Sequence, residues 1–188
     1  MEVTYLEDAL RQLRKYKKLG DQAVAQVSET DLFRRLDPES NSIALIMKHV
    51  SGNMRSRWTD FLTTDGEKPD RHRDSEFEEE EGDTATSIRE RWEAGWRVTE
   101  EAIRALTPED LEKTVSVRGE AHTVLEAINR QLTHYASHVG QIVLLAKHFA
   151  GGAWRSLSIP RGQSGAYDVS KDGAPYGMES GAPKDTDA

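Results

Sequence analysis

The sequence predicts an all-α fold, a four-helix bundle followed by an irregular C-terminal extension. Apolar residues recur every three or four positions in four long segments, as on the buried face of an amphipathic helix. The last of these segments carries two adjacent apolar seams, which is typical of a central helix in a bundle. The length of 188 residues fits one domain with a tail.

The first long helix begins close to the N-terminus and extends to about Val27. Its apolar face contains Val3, Leu6, Ala9, Leu10, Leu13 and Tyr16. The sequence SETD at residues 28–31 then matches a helix-capping box, so we expect a short helical turn before the break at Asp37 and Pro38.

The second long helix should begin at a cap on Asn41 or Ser42 and end before Asp65. Its buried face contains Ile43, Ile46, Met47, Val50, Met54 and Phe61. Residues 63–83 have no apolar period and are rich in Gly, Pro and charge, which predicts a long surface loop between the second and third helices. Within it, residues 74–83 carry seven carboxylates and no basic residue, and we expect this stretch to be solvated without a further role.

The third helix should cover residues 84–106, and Thr107 with Pro108 predicts another capped helical start. Residues 115–117 alternate as in an extended segment, but they are too few to predict a sheet. The fourth helix begins at a capping box on Thr123 and ends at Gly151 and Gly152. One of its seams contains Ala127, Gln131, His134, His138, Ile142, Leu145 and Phe149.

The sequence therefore predicts a bundle over residues 1–150, a docked segment over 151–170 and a disordered tail over 171–188. The docked segment combines Trp154, Leu157 and Ile159 with Arg155 and Arg161, whereas the tail is rich in Gly, Pro and Asp and has little to bury.

Composition excludes several classes of function. The net charge of −8 comes almost entirely from the acidic stretch, so no basic surface for nucleic acid is predicted. The N-terminus does not resemble a signal peptide and no run of 18 apolar residues occurs, so we expect a cytoplasmic protein that does not bind membranes. The chain contains no cysteine, and any thiol chemistry must therefore use a thiol from another molecule.

His134 and His138 are the strongest candidates for chemistry because they lie four residues apart on one helix face, about 5.4 Å along the axis. This spacing can chelate a divalent ion, although it also occurs in histidines with a purely structural role. His49 on the second helix is either a hydrogen-bonded histidine at the edge of the core or a third ligand. Three imidazoles suit Zn²⁺ or Ni²⁺ with one position left for water or substrate.

No other site signature is present: the sequence lacks GxGxxG, a P-loop and a nucleophile elbow. The histidine pair reads HYASH, so it also lacks the glutamate with which HExxH motifs activate water. A hydrolase would need a base from elsewhere, whereas coordination by a metal by itself favours the thiolate form of a thiol.

The triad of His49, His134 and His138, together with Gly140 and Gln141, resembles the DinB-like (YfiT-like) superfamily of metal-binding four-helix bundles. The stretches 65–74, 76–77 and 154–164 resemble one bacterial branch of it. This resemblance implies up-down-down-up connectivity, a homodimer, and zinc or nickel held by the three matching histidines. It also implies transfer of a low-molecular-weight thiol to a small electrophile.

Three functions remain open from the sequence: a metal-dependent thiol transferase, a non-enzymatic metal-binding dimer associated with stress, and a metallohydrolase. Asn53 and Gln141 could contact the ligands or a substrate, or be ordinary surface amides, and Arg161 could reach an anionic thiol. Trp58 and Trp96 lie off the centre of their apolar stripes, so they are either exposed at a dimer interface, which we expect, or flank the core of a monomer.

Overall fold

The structure is a computed structural model that describes residues 4–168. It contains four long helices, α1 (Tyr5–Val24), α3 (Ile43–Trp58), α4 (Ala85–Arg104) and α5 (Val124–Ala150), and one short helix, α2 (Glu29–Phe33). A small hairpin consists of β1 (Thr114–Val117) and β2 (Glu120–Thr123). The mostly helical fold predicted from the sequence is confirmed. The predicted tail over 171–188, the last two residues of the predicted docked segment and Val3 lie outside the described residues.

Side-chain caps fix where the long helices begin. Thr4 and Glu7 form a reciprocal capping box at α1, and Thr123 and Glu126 form another at α5. The Ser42 hydroxyl accepts a hydrogen bond from the Leu45 N–H, so Ser42 rather than Asn41 caps α3. These caps place the helices that carry the histidines.

The helices pack through one shared apolar core. α3 packs mainly against α4, and α1 packs mainly against α5, with further contacts between α3 and α5 and between α1 and α4. α3 and α4 approach closely at Gly95, where an added Cβ would lie 3.1 Å from the Ser51 Cα. The largest fully buried side chains are Trp92, Tyr135, Leu32, Ile43, Leu45, Met47, Met54, Ile88, Ile103, Ile128, Ile142 and Val24.

Residues 114–123 form a hairpin, for which the sequence had predicted only an extended segment. Arg118 and Gly119 both have positive φ, the arrangement of the tight turns that suit strand twist. The Asp65 carboxylate accepts hydrogen bonds from the N–H groups of both turn residues at 2.8 Å, and from the Ser116 hydroxyl. The hairpin therefore fastens the beginning of the loop that follows α3.

Trp58 and Trp96 are buried, so the expectation that they are exposed was wrong. The Trp58 indole N–H donates to the Tyr135 hydroxyl at 3.0 Å, and Trp96 packs edge-on between Trp92 and Tyr135. Trp58 lies on α3 and Trp96 on α4, and each of these helices packs against more than one other helix. A residue off the centre of the apolar stripe that faces one neighbour is therefore buried against another. The homodimer stays a prediction, but the tryptophans no longer support it.

The loop between α3 and α4 is held to the bundle, so its acidic stretch is not merely solvated as predicted. The buried Lys48 ammonium contacts the Glu78 carbonyl at 2.9 Å, the Glu80 carboxylate at 3.0 Å and the Asp83 carboxylate at 2.7 Å. The Glu76 side chain is also buried. Because a buried ammonium is unfavourable without partners, Lys48 requires these loop residues.

The C-terminal segment follows α5 after Gly151, whose positive φ ends the helix. Trp154 and Leu157 are partly buried against the core. The Gln26 side chain bonds both the backbone N–H of Arg155, at 2.7 Å, and its carbonyl, at 3.1 Å. These contacts attach the segment to the end of α1.

We predict that Tyr135→Phe lowers the free energy of unfolding by about 2–4 kcal/mol, because it leaves the Trp58 N–H and the Asn53 carbonyl buried without a partner. Urea unfolding of the variant measures this loss. The control is Tyr5→Phe, which removes a hydrogen bond of 2.8 Å to Asn129 near solvent and should cost less than about 1 kcal/mol. Equal losses in the two variants would contradict the role given to the buried hydroxyl.

Candidate metal centre

Three histidines converge from two helices. His49 lies in the middle of α3 and is 4% exposed, and His134 and His138 lie one turn apart on the face of α5 that packs against α3. The buried apolar faces of the two helices set the rotation that turns these positions towards each other.

The ligand atoms of the three histidines all lie within 4.8 Å of one another. The Nε2 atoms of His134 and His138 are 3.1 Å apart. Two nitrogens bound to one zinc ion at about 2.0–2.1 Å each would be about 3.3 Å apart at the tetrahedral angle. The separation in the protein is close to that value, and the three histidines can hold a metal ion without a large rearrangement.

Hydrogen bonds fix which nitrogen of two of these rings faces the site. The His49 Nδ1 lies 2.8 Å from a Glu76 carboxylate oxygen, and the His138 Nδ1 lies 2.9 Å from the Gln141 amide oxygen. Since both partners are acceptors, each Nδ1 carries the proton and each Nε2 keeps its lone pair. Metal-binding histidines typically have this arrangement, because the hydrogen bond orients the ring.

The carboxylate that holds His49 is itself held by Arg71. The Arg71 guanidinium donates to both Glu76 oxygens, each at 2.8 Å, and also contacts Glu67. Burial raises the pKa of Glu76, but hydrogen bonds from His49 and Arg71 outweigh it and the pKa is lowered overall. Glu76 is therefore ionised at neutral pH and accepts a hydrogen bond from the His49 Nδ1–H.

The glycine at position 52 makes room for this carboxylate. A Cβ built on Gly52 would lie 2.3 Å from a Glu76 oxygen, so any side chain there would displace the carboxylate. Phe77, which follows Glu76 in the loop, stacks on the His49 ring with the ring centroids 4.6 Å apart. His49 is thus held on its edge by Glu76 and on its face by Phe77.

Burial keeps His134 and His138 neutral. It lowers the pKa of His134 to about 3, with smaller contributions from His138, His49 and nearby arginines. Burial also lowers the pKa of His138. Metal ions bind only unprotonated imidazole, so this environment favours a ligand role at neutral pH.

Comparison with protein families adds one finding. A family model described as "Protein of unknown function (DUF1572)" matches residues 1–163. The chain belongs to the DUF1572 family. This family is part of the DinB/YfiT-like helical superfamily, which agrees with the resemblance seen in the sequence. No curated protein and no solved structure matches the chain.

Over the part of the chain that the structure describes, no helix is both long and apolar enough to cross a membrane.

The structure separates the three polar candidates that the sequence singled out in this DUF1572 member. Gln141 contacts His138 directly. Asn53 is buried and accepts a hydrogen bond of 3.2 Å from the Tyr135 hydroxyl, in the core of the bundle. Arg161 is exposed in the C-terminal segment.

Glu76 and Arg71 are the contacts that the sequence reasoning did not assign. Both fall in loop stretches that carried the family resemblance, yet the pattern around them predicted only a charged surface. The signal that could have found them is the buried His49 itself, because its Nδ1 proton needs an acceptor from outside the apolar helix face.

We predict that Gly52→Ala destabilises the protein by about 1–3 kcal/mol, because the added methyl group displaces a carboxylate that three hydrogen bonds hold. Chemical denaturation measures the change. The matched control is Gly140→Ala on α5, where a Cβ meets open space and the better helix former should stabilise by up to about 1 kcal/mol.

In a Glu76→Ala background the same Gly52→Ala change should become neutral or stabilising, because the carboxylate that it displaces is gone. A stabilising effect of Gly52→Ala in the otherwise unchanged protein would contradict the role of this glycine.

We also predict that the metal-free protein loses stability as the pH falls below about 6.5, the pKa of an unfolded histidine. In the folded protein the pKa of His134 is about 3. At any pH between these two pKa values His134 takes up a proton only when the chain unfolds, so the free energy of unfolding decreases as the pH falls. From pH 7 to 5.5, in the presence of a chelator, the wild type should lose about 1 kcal/mol more than His134→Gln.

The control for this pH series is His148→Gln, on the exposed end of the same helix, which should follow the wild type. If His134→Gln follows the wild type as well, His134 is not the group whose protonation is suppressed.

Proposed function

We propose that the protein binds one divalent transition-metal ion, zinc or nickel, through His49, His134 and His138, and uses it to transfer a low-molecular-weight thiol to a small electrophile. The observation that carries the proposal is the convergence of three buried or half-buried imidazoles within 4.8 Å of one another. Three histidines leave at least one position of a tetrahedral ion for an exchangeable ligand, as in catalytic rather than structural zinc sites.

The helix directions support the up-down-down-up bundle that the family resemblance implies. Contacts between α1 and α5 advance together along both helices, as do those between α3 and α4, whereas contacts between α3 and α5 run in opposite directions. Between α1 and α5 the pairs are Tyr5–Asn129 and Gly20–Val139. Met54 contacts Gly95 on α4, and Lys48 contacts Asp83, which lies just before the start of α4. Between α3 and α5 the pairs are His49–His138 and Trp58–Tyr135, so these helices are antiparallel neighbours and His49 lies beside the two histidines of the pair on α5.

The chemistry follows from the ligand set. A bound divalent ion would lower the pKa of a coordinated thiol and present it as a thiolate. In the overall reaction the thiol loses its proton to solvent, a carbon–sulfur bond forms, and the leaving group of the electrophile departs with its bonding electrons. The protein supplies neutral ligands, and the Glu76 and Gln141 acceptors orient two of them.

The state of Glu76 supports thiol transfer over hydrolysis. A metallohydrolase of this kind needs a carboxylate that is free to take a proton from water. Glu76 instead accepts hydrogen bonds from His49 and Arg71, and its lowered pKa makes it a weak base. A hydrolase would therefore have to recruit a different general base.

The first test is metal analysis of the full chain, purified without an affinity tag and loaded with Zn²⁺ or Ni²⁺. We expect about one ion per chain, with tight binding abolished in His49→Ala, His134→Ala and His138→Ala. His148→Ala, the matched control on α5, should bind as the wild type does. Unchanged stoichiometry and affinity in His138→Ala would rule out the proposed ligand set.

The second test assays loaded protein with a panel of low-molecular-weight thiols and a generic aromatic electrophile. We expect thioether formation above the uncatalysed rate, lost on chelation and in His138→Ala. Tight metal binding without any thiol consumption would favour the non-enzymatic metal-binding alternative.

A further inference from the structure

The three histidines differ in how their outer nitrogens are held. The Nδ1 atoms of His49 and His138 each have a side-chain oxygen within 2.9 Å, whereas the Nδ1 of His134 is buried and has no hydrogen-bond partner among the described residues. A buried polar atom without a partner is costly, and it calls for an explanation in a site that is otherwise well satisfied.

A second unpartnered atom lies one turn away on the same helix. Gln131 is 5% exposed, and its amide oxygen is buried without a hydrogen-bond partner among residues 4–168. Gln131 precedes His134 by three residues and therefore lies on the same face of α5. The pair mirrors the one on the other side of the site, where Gln141 follows His138 by three residues and holds its Nδ1.

The tautomer of His134 explains why its Nδ1 has no hydrogen-bond partner among the described residues. Because Gln141 holds the Nδ1 proton of His138, the Nε2 of that ring is an acceptor, and the His134 Nε2 at 3.1 Å must carry the proton between them. The Nδ1 of His134 is then a bare acceptor, which cannot bond to the amide oxygen of Gln131.

The opposite tautomer is the one that suits a metal ligand. Coordination through the His134 Nε2 would use the lone pair of that nitrogen, so the ring would release the Nε2 proton to solvent and take one up from solvent on Nδ1. The buried Nδ1 would then be a donor, and the unpartnered oxygen of Gln131 would be the acceptor that it requires.

We propose that Gln131 is a positioning residue that accepts a hydrogen bond from the His134 Nδ1 in the metal-loaded protein, so that every ligand has an outer acceptor: Glu76 for His49, Gln131 for His134 and Gln141 for His138. The inference rests on the proposed metal site and extends it. It assigns to a buried core glutamine a role that appears only when the metal is bound.

The experiment compares wild type, Gln131→Met and Gln131→Glu in the full chain. Zn²⁺ affinity is measured by competition with a chelator, and the imidazole N–H groups are followed by ¹⁵N NMR of histidine-labelled protein. In zinc-loaded wild type we expect a slowly exchanging His134 Nδ1–H. Gln131→Met, which keeps the volume but has no amide oxygen, should lose this signal and bind Zn²⁺ about 10–100-fold more weakly.

Two comparisons separate positioning from a structural role. The metal-free Gln131→Met protein should melt at the same temperature as wild type or higher, because the variant removes an unpartnered buried oxygen. Gln131→Glu should retain the His134 Nδ1–H signal and bind Zn²⁺ more tightly than Gln131→Met, since a carboxylate can accept the same proton. Gln141→Leu should expose the Nδ1–H of His138 to exchange and leave that of His134 protected.

Wild-type protein that fails to bind Zn²⁺ would overturn the proposed function, and this inference with it. Zinc binding in the wild type, with unchanged affinity and an unchanged His134 Nδ1–H signal in Gln131→Met, would overturn the role of Gln131 alone. If Gln131→Met does not fold, the inference is decided by Gln131→Glu, in which loss of the protected His134 signal would overturn it.

Discussion

The hydrogen-bonded group of Arg71, Glu76 and His49 connects the loop to the helices, and much of the site depends on it. The Glu76 carboxylate lies in a protein interior where an ionised group is stable only with close partners, and it has both a guanidinium and an imidazole. Gly52 leaves the space for it on α3. Without the Glu76 carboxylate the His49 ring would lose the acceptor that fixes its tautomer, and the loop after α3 would lose its central anchor.

Burial in the bundle has two effects on His134. It keeps His134 uncharged at neutral pH, and it makes any unpartnered nitrogen on that ring costly. An apolar bundle can therefore contain a polar site only if each ring nitrogen finds a specific acceptor or a bound ion. This requirement explains why amides and a carboxylate surround histidines that lie along an apolar seam.

The features that the sequence predicted are those with a local pattern. The capping box at Thr123 and the apolar period predicted the long helices, and the spacing of His134 and His138 predicted a shared face. Features set by tertiary contact escaped prediction. Trp96 seemed off its stripe because α4 contacts more than one neighbour. Glu76 seemed part of a solvated run because its partners, His49 and Arg71, lie outside that run, His49 on a different element.

The anchors of the loop between α3 and α4 bear on how the chain meets proteases. Loops of this length and composition are usually the first segments to be nicked, because a protease must pull an extended stretch of chain into its cleft. Here Asp65 is tied to the hairpin, Glu67 and Glu76 to arginines, and Asp83 to Lys48. The free stretches between these anchors are short, and cleavage within them requires local release of an ion pair from the bundle. The loop thus becomes open to a protease only where one of these contacts is released first.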